Sequence, residues 1–275
     1  LEFRRVLFRS ENAKAPALVT DSDYAKQYVK ALPYTLTGGQ SQAIQAINQD
    51  LKAQKSMNRL LQGDVGSGKT DVAVLTLLAA IASNKKGAIM SPTEVLTEQH
   101  YQKFTRQLSA LGVEIVLLKS KMKKKEKEIA YEKIKGPKPL IIVGTHALIV
   151  SAVSYADLGV VVIDEQHRFG VNQRMALKSK GEMPHCLFMT ATPIPRSFML
   201  TCYGDLDKTI IDELPPGRIP PQTTLLPESK LSQVYYHCDQ HIKKGEQVYI
   251  VYPLVEDRKS TRLNSSHQII SYAVF

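Results

Sequence analysis

The chain has 275 residues, 43% of them hydrophobic, and a formal net charge of +10, which allows one large or two ordinary domains with a real core. No apolar run nears the roughly 20 residues that span a bilayer, and no signal peptide is recognised. Three cysteines, Cys186, Cys202 and Cys238, far apart and odd in number, argue against a disulfide framework and for a reducing compartment.

The charge is unevenly placed. The first ten residues, LEFRRVLFRS, carry a net +2 and the last eighteen, RKSTRLNSSHQIISYAVF, a net +3, so half the excess lies in two tails. The mildly basic middle fits nucleic-acid binding without requiring it. Neither tail continues its neighbour's pattern, and both read like translated cloning or adaptor sequence. Residues 1–10 and 258–275 are therefore expected to be non-native and are set aside.

From Asn58 onward, short apolar runs alternate with helical spacing. NRLLQ (58–62) predicts a strand. Residues 69–83 predict a helix, with Val72, Leu75, Leu78 and Ala79 at helical spacing. GAIMSP (87–92) is a strand and its stop, 94–111 a helix, and VEIVLL (113–118) a strand. A charged helix follows over 123–134, with Ile129 and Ile134 expected inward. PLIIVGT (139–145), GVVVIDE (159–165) and HCLFMTAT (185–192) are three further strands. Strands so continuously apolar, separated by helices, predict a parallel sheet covered on both faces. ELPPGRIPP (213–221) breaks the pattern as a stiff connector. TTLLPE, a helix over 230–243 and the strand QVYIVYP (247–253) then begin a second α/β unit, whose sheet is expected to be packed by Tyr235, Tyr236, Tyr249 and Tyr252.

GDVGSGKT (63–70) is the phosphate-loop pattern G-x4-G-K-T, in the strand-to-helix context it requires. Gly63, Gly66 and Gly68 allow backbone turns that let N–H groups of the loop, Asp64, Val65 and Ser67 included, wrap phosphate oxygens at a helix N-terminus. Lys69 would reach the β- and γ-phosphates and the Thr70 hydroxyl would ligate Mg²⁺. Asp71, an acid beside the phosphate lysine, suits the helix dipole but opposes anion binding. In an α/β sheet, ligands bind at the carboxyl ends of strands. VVIDEQH (161–167) would deliver Asp164 there to hold Mg²⁺ and Glu165 to polarise an attacking water. TATPIPR (190–196) ends the next strand, where Thr190 and Thr192 can form a hydrogen-bond relay within reach of His167.

KSKMKKKEKE (119–128) packs six lysines into ten residues and reads as a solvated helix start. His237, Cys238 and His241 read as the polar side of a helix.

Together these stretches resemble a superfamily 2 DExH helicase, and within it the bacterial RecG-like translocases of branched DNA. The resemblance runs from about Leu32 to Asp257 and rests on LPYTLTGGQ, GDVGSGKT, SPTEVLTEQHY, VGTHALI, DEQHRFGV, MTATPIPR, YGDLD and DELPPGR. It implies an α/β fold: a RecA-like P-loop NTPase domain over 37–213, led into by a linker over 11–36 and followed by a Pro-rich linker at 214–221. The start of a second RecA-like domain would occupy 222–257. It implies ATP and Mg²⁺ as cofactors, with Tyr34 stacking near adenine and Gln40 reading its edge. It implies DNA-backbone contacts from Pro92, Thr93, Gly144, Thr145 and His146, and a His167 that couples ATP state to DNA. The implied partner is branched or forked duplex DNA, and the implied setting a monomer in the bacterial cytoplasm, away from membranes.

Such helicases also carry a wedge domain before the motor and an arginine finger in its second half. Neither has a match here, so the chain is expected to bind ATP and DNA while turning over poorly. A transcription-repair coupling motor of the Mfd type is related, but its corresponding stretches differ from DEQHRFGV and from YGDLD and DELPPGR. A P-loop NTPase acting on protein would leave VGTHALI and SPTEVLTEQH unexplained.

Overall fold

The computed structural model describes residues 15–165, 176–177, 180–181, 183–192, 206–213 and 223–250. The chain divides into two compact units, Leu1–Pro216 and Gly217–Phe275.

The first unit is built on seven parallel strands: β1 (Asn58–Gly63), β2 (Lys86–Met90), β3 (Ile115–Leu118), β4 (Ile141–Gly144), β5 (Leu158–Ile163), β6 (His185–Thr190) and β7 (Asp207–Ile211). Their spatial order is β3-β4-β2-β5-β6-β1-β7. Strands β2, β4, β5 and β6 are buried at every position, as their unbroken apolar runs require. The flanking strands β3 and β7 bury only some of their residues, because each has a neighbour on one side.

Alternation along each strand then sorts side chains to two faces. Ile89, Val160, Val162, Leu187 and Met189 join one core, with Leu18, Tyr28, Ile47 and Phe104. Their in-between neighbours Ala88, Met90, Val161, Ile163, Cys186 and Phe188 join the other, with Ala130 and Ile134.

Helices cover both faces. Helix α1 (Asp23–Ala31), α2 (Gly38–Lys52), α3 (Lys69–Ala82) and α4 (Glu94–Leu108) contribute to the first core, and α5 (Lys124–Lys135) to the second. Helix α3 is apolar all round and is buried at nearly every position from Lys69 to Ile81. It packs against both α2 and the sheet.

Several expectations need correction. Residues 15–36, read as a linker, contain α1 (Asp23–Ala31) and bury Leu18 and Tyr28 in the first core. Ile129 is 59% exposed, whereas Ala130 and Ile134 are buried. Residues 129 and 134 are five apart, so on a helix only one of them can share the inward face with Ala130. The helix after β2 ends its α-helical part at Leu108 and closes with a 3₁₀ turn, Ser109–Leu111, on Gly112 at φ +67°. Strand β7 was not expected: its sequence, DKTII, is polar at its start and buries only Ile211.

The second unit contains helix α6 (Leu231–Lys243), which buries Val234 and Cys238. TTLLPE forms no strand. Of QVYIVYP, residues 247–250 show only an isolated bridge at Val248, and 251–253 lie outside the described residues. Tyr235, Tyr236 and Tyr249 are exposed rather than packing a sheet, and Tyr252 lies outside the described residues. His237 and His241 meet through their Nε2 atoms at 3.0 Å on one side of α6.

Candidate functional site

Because all seven strands are parallel, their carboxyl ends share one edge of the sheet. The register aligns Gly63 with Ile211, Gln62 with Thr190, and Met90 with both Ile163 and Gly144. The phosphate loop, SPTEVLTEQHY, the end of VGTHALI, Asp164–Glu165 and Thr190–Thr192 therefore start from this edge.

Gly63 ends β1 and Lys69 opens α3, with the loop between them. Gly66 and Gly68 adopt φ +79° and +83°. Gly68 is constrained twice, since a Cβ there would lie 1.8 Å from Gln40 Nε2. Gln40 is tied into the loop: its Nε2 donates to Ser67 O at 2.9 Å. Its Oε1 accepts from Thr37 N at 2.8 Å while Thr37 Oγ1 accepts from Gln40 N, a capping box at the start of α2. Lys69 Nζ spans the loop, donating to Gly63 O at 2.7 Å and Asp64 O at 2.8 Å. Asp64 Oδ1 accepts from Val65 N at 2.7 Å. Ser67 Oγ is buried with no hydrogen-bond partner among the described residues. Left-handed glycines, a helix N-terminus, a lysine and an unpartnered hydroxyl make a donor-rich cradle, and that chemistry fits phosphate oxygens.

Asp71 has partners of its own. Only 2% exposed, it accepts from Tyr28 Oη at 3.0 Å and Tyr34 Oη at 2.8 Å. Lys103 Nζ of α4 adds an ion pair at 3.4 Å. The acid that opposes anion binding is thus held by two hydroxyl donors and faces one cation of its own. Tyr34 itself is 44% exposed.

Asp164 and Glu165 follow β5. Asp164 N donates to Met90 O at 2.9 Å, which carries the β2 ladder one residue past the strand. Glu165 then takes φ +48°, a left-handed conformation rare for a side-chain-bearing residue and one often found at functional sites. Asp164 Oδ2 lies 2.8 Å from His100 Nε2. Sequence reasoning quoted His100 within SPTEVLTEQHY but assigned it nothing. The available signal was its spacing: Thr97, His100, Phe104 and Leu108 form the buried stripe of α4. His167 lies outside the described residues.

The residues expected to meet DNA stand on neighbouring strand ends. Pro92 and Thr93 follow β2, and Thr93 Oγ1 caps α4 by accepting from Leu96 N at 3.2 Å. Gly144 ends β4, where a Cβ would lie 2.6 Å from Leu118 O. Thr145 is buried, and its Oγ1 accepts from Ala147 N at 3.4 Å to start a 3₁₀ turn. His146 is exposed, with Nε2 3.2 Å from Ser120 Oγ. Thr190 and Thr192 bond each other, Oγ1 to Oγ1 at 3.0 Å. A residue sequence reasoning missed, Glu213, accepts from Gly39 N at 3.0 Å through Oε2 and anchors the start of α2 from beyond β7.

Residues 37–200 match the model of the DEAD/DEAH box helicase family. The chain belongs to that family. It is 48% identical, over 92% of its length, to the ATP-dependent DNA helicase RecG of Aquifex aeolicus, covering 32% of that protein. It is 42% identical, over 99% of its length, to the ATP-dependent DNA helicase RecG of Thermotoga maritima, covering 35% of it. The chain therefore spans about a third of the curated relatives it matches. Among solved structures it is similar to RecG bound to a three-way DNA junction, with 40% identity, a TM-score of 0.80, and 93% of this chain and 34% of that one covered. The DUF1998 helicase MrfA bound to DNA, at 16% identity and TM-score 0.62 over 86% of this chain and 37% of that one, shares the fold. The helicase relationship matches the RecA-like, doubly covered parallel sheet expected from the sequence. No helix among the described residues is long and apolar enough to cross a membrane.

Proposed function

We propose that this chain carries the ATP-binding half of a motor that hydrolyses ATP with Mg²⁺ and pulls branched duplex DNA, such as stalled forks and four-way junctions, to remodel it in repair and recombination. The observation that carries the reading is one of placement. The loop at 63–70, the pair Asp164–Glu165, and Thr93, Thr145 and His146 all start from one edge of one sheet. A site for phosphates and a strip for a nucleic-acid backbone are thereby joined by a rigid support. The similarity to RecG proteins over most of this chain supports the choice of branched DNA.

In this reading the loop from Gly63 to Gly68 cradles the phosphates with its N–H groups, and Lys69 exchanges its bonds to Gly63 O and Asp64 O for phosphate oxygens. Thr70 and Asp164 hold Mg²⁺, which when bound offsets phosphate charge. Glu165 accepts a proton from the attacking water. Tyr34 and Gln40 flank the adenine. Pro92, Thr93, Gly144, Thr145 and His146 follow the DNA backbone, while His167 with Thr190 and Thr192 carries the nucleotide state onward. Residues 37–213 form the first motor domain, 214–221 its connector and 222–257 the start of the second. The motor works as a monomer in the bacterial cytoplasm.

The test is ATP hydrolysis by the full-length parent protein with no DNA, linear duplex and forked duplex. Forked DNA should stimulate the rate most, with affinity falling steeply as salt rises because phosphate contacts release counterions. A rate indifferent to every nucleic acid would overturn the reading.

A further inference from the structure

We propose that His100 is a positioning residue of the ATPase site: it holds the Asp164 carboxylate in the orientation from which it takes Mg²⁺. This deepens the reading above and rests on it. His100 Nε2 lies 2.8 Å from Asp164 Oδ2, and the two side chains are only 11% and 13% exposed. An ionised carboxylate can only accept, so the ring carries its hydrogen at Nε2 and donates it. The ring is fixed from behind by Phe104, one turn along α4, with centroids 5.6 Å apart and Phe104 fully buried. Three residues on from His100, the same helix sends Lys103 to Asp71. A single helix, capped by Thr93, thus reaches the acid after β5 and the acid that follows the phosphate loop.

The consequence is chemical. With Oδ2 engaged by His100, the carboxylate cannot rotate freely, and Oδ1 is the oxygen that would take a cation. Losing the hydrogen-bond partner of a metal-holding carboxylate costs about ten- to a hundredfold in metal affinity.

The experiment is a titration of the full chain with a fluorescent ATP analogue, in EDTA and at increasing Mg²⁺, paired with Mn²⁺ binding followed by electron paramagnetic resonance. His100→Ala should leave the affinity in EDTA unchanged while weakening cation binding by about tenfold or more. His100→Gln, whose amide can donate to the same oxygen, should recover most of it. Should His100→Ala not fold, His100→Leu replaces it: a side chain of similar bulk without a donor should lose the cation effect that His100→Gln keeps. Asp164→Ala separates the two levels of the reading. If Asp164→Ala abolishes the Mg²⁺ response while the donorless His100 variants retain it, the role of His100 is overturned and the functional reading stands. If Asp164→Ala leaves the Mg²⁺ response intact, the functional reading falls and the role of His100 with it. An equal loss in EDTA and in Mg²⁺, or no recovery in His100→Gln, would assign His100 to packing alone.

Discussion

Tyr34 donates its hydroxyl to Asp71 Oδ2 at 2.8 Å, and Tyr28 reaches the other oxygen of the same carboxylate at 3.0 Å. Two residues from the segment before α2 are therefore locked to the third residue of α3, immediately behind the phosphate loop. Burial, reinforced by Asp71, pushes the Tyr34 phenol up to about 12 and the Tyr28 phenol higher still, so both hydroxyls remain donors at physiological pH.

The cluster sets a stability hierarchy. Asp71→Ala leaves the buried Tyr28 hydroxyl without its acceptor and should cost about 1–3 kcal/mol. Tyr34→Phe removes a bond at a half-exposed position and should cost less. Urea denaturation of the two variants beside the parent chain checks the order; a Tyr34→Phe loss exceeding that of Asp71→Ala would contradict it.

Lys69 and Glu165 should separate binding from hydrolysis. Lys69→Ala should abolish nucleotide binding. Glu165→Gln should spare binding and reduce hydrolysis by about 10²–10⁴-fold, the usual contribution of a general base. Equilibrium binding of a fluorescent nucleotide and single-turnover hydrolysis measure the two effects. Equal loss of binding in both variants would contradict these roles.

Two glycines with positive φ should respond differently to alanine. At Gly112 nothing lies within 4 Å of a Cβ, so only the left-handed backbone is penalised, by about 1–2 kcal/mol. At Gly68 the same backbone penalty is joined by a collision with Gln40 Nε2. Gly68→Ala should therefore cost more stability than Gly112→Ala and also lower nucleotide affinity, whereas Gly112→Ala should leave affinity unchanged. Thermal melts with and without nucleotide decide the matter.

His185 predicts a loss of stability in acid. The ring is fully buried; Nδ1 accepts from Met57 N at 3.1 Å and Nε2 donates to Pro16 O at 2.9 Å, so the neutral form fits and a second proton would break the Met57 bond. Burial holds its pKa below the ordinary 6.5, against smaller opposing pulls from the Pro16 carbonyl and Asp50. Above 6.5 both folded and unfolded chains hold a neutral ring and nothing changes with pH. As pH falls below 6.5 the unfolded chain takes up a proton that the folded chain declines, so stability drops, and the drop levels off below the folded pKa. His185→Gln should be less stable at pH 8 yet show a shallower decline on acidification. Denaturation midpoints across a pH series test this; parallel declines would sink it.

The elements legible in the sequence were those whose signal is local. Val160 to Ile163 or Ile141 to Val143 can only be strands buried on both faces, and GDVGSGKT after a strand carries its own backbone requirement in its glycines. The helices α1 and α2 were not assigned, and β7 escaped because DKTII is polar at its exposed start.

What the sequence by itself determined was the layered sheet, the phosphate loop and the delivery of Asp164 and Glu165 to a strand end, because alternation, glycine placement and run length act over a few neighbouring residues. The tertiary structure alone decided which side chains meet across long separations. It paired His100 with Asp164, joined Tyr34, Tyr28 and Lys103 on Asp71, and set Gln40 against Ser67 and Gly68. Such partners are chosen by how helices seat on the sheet, and a linear pattern holds no record of that distance.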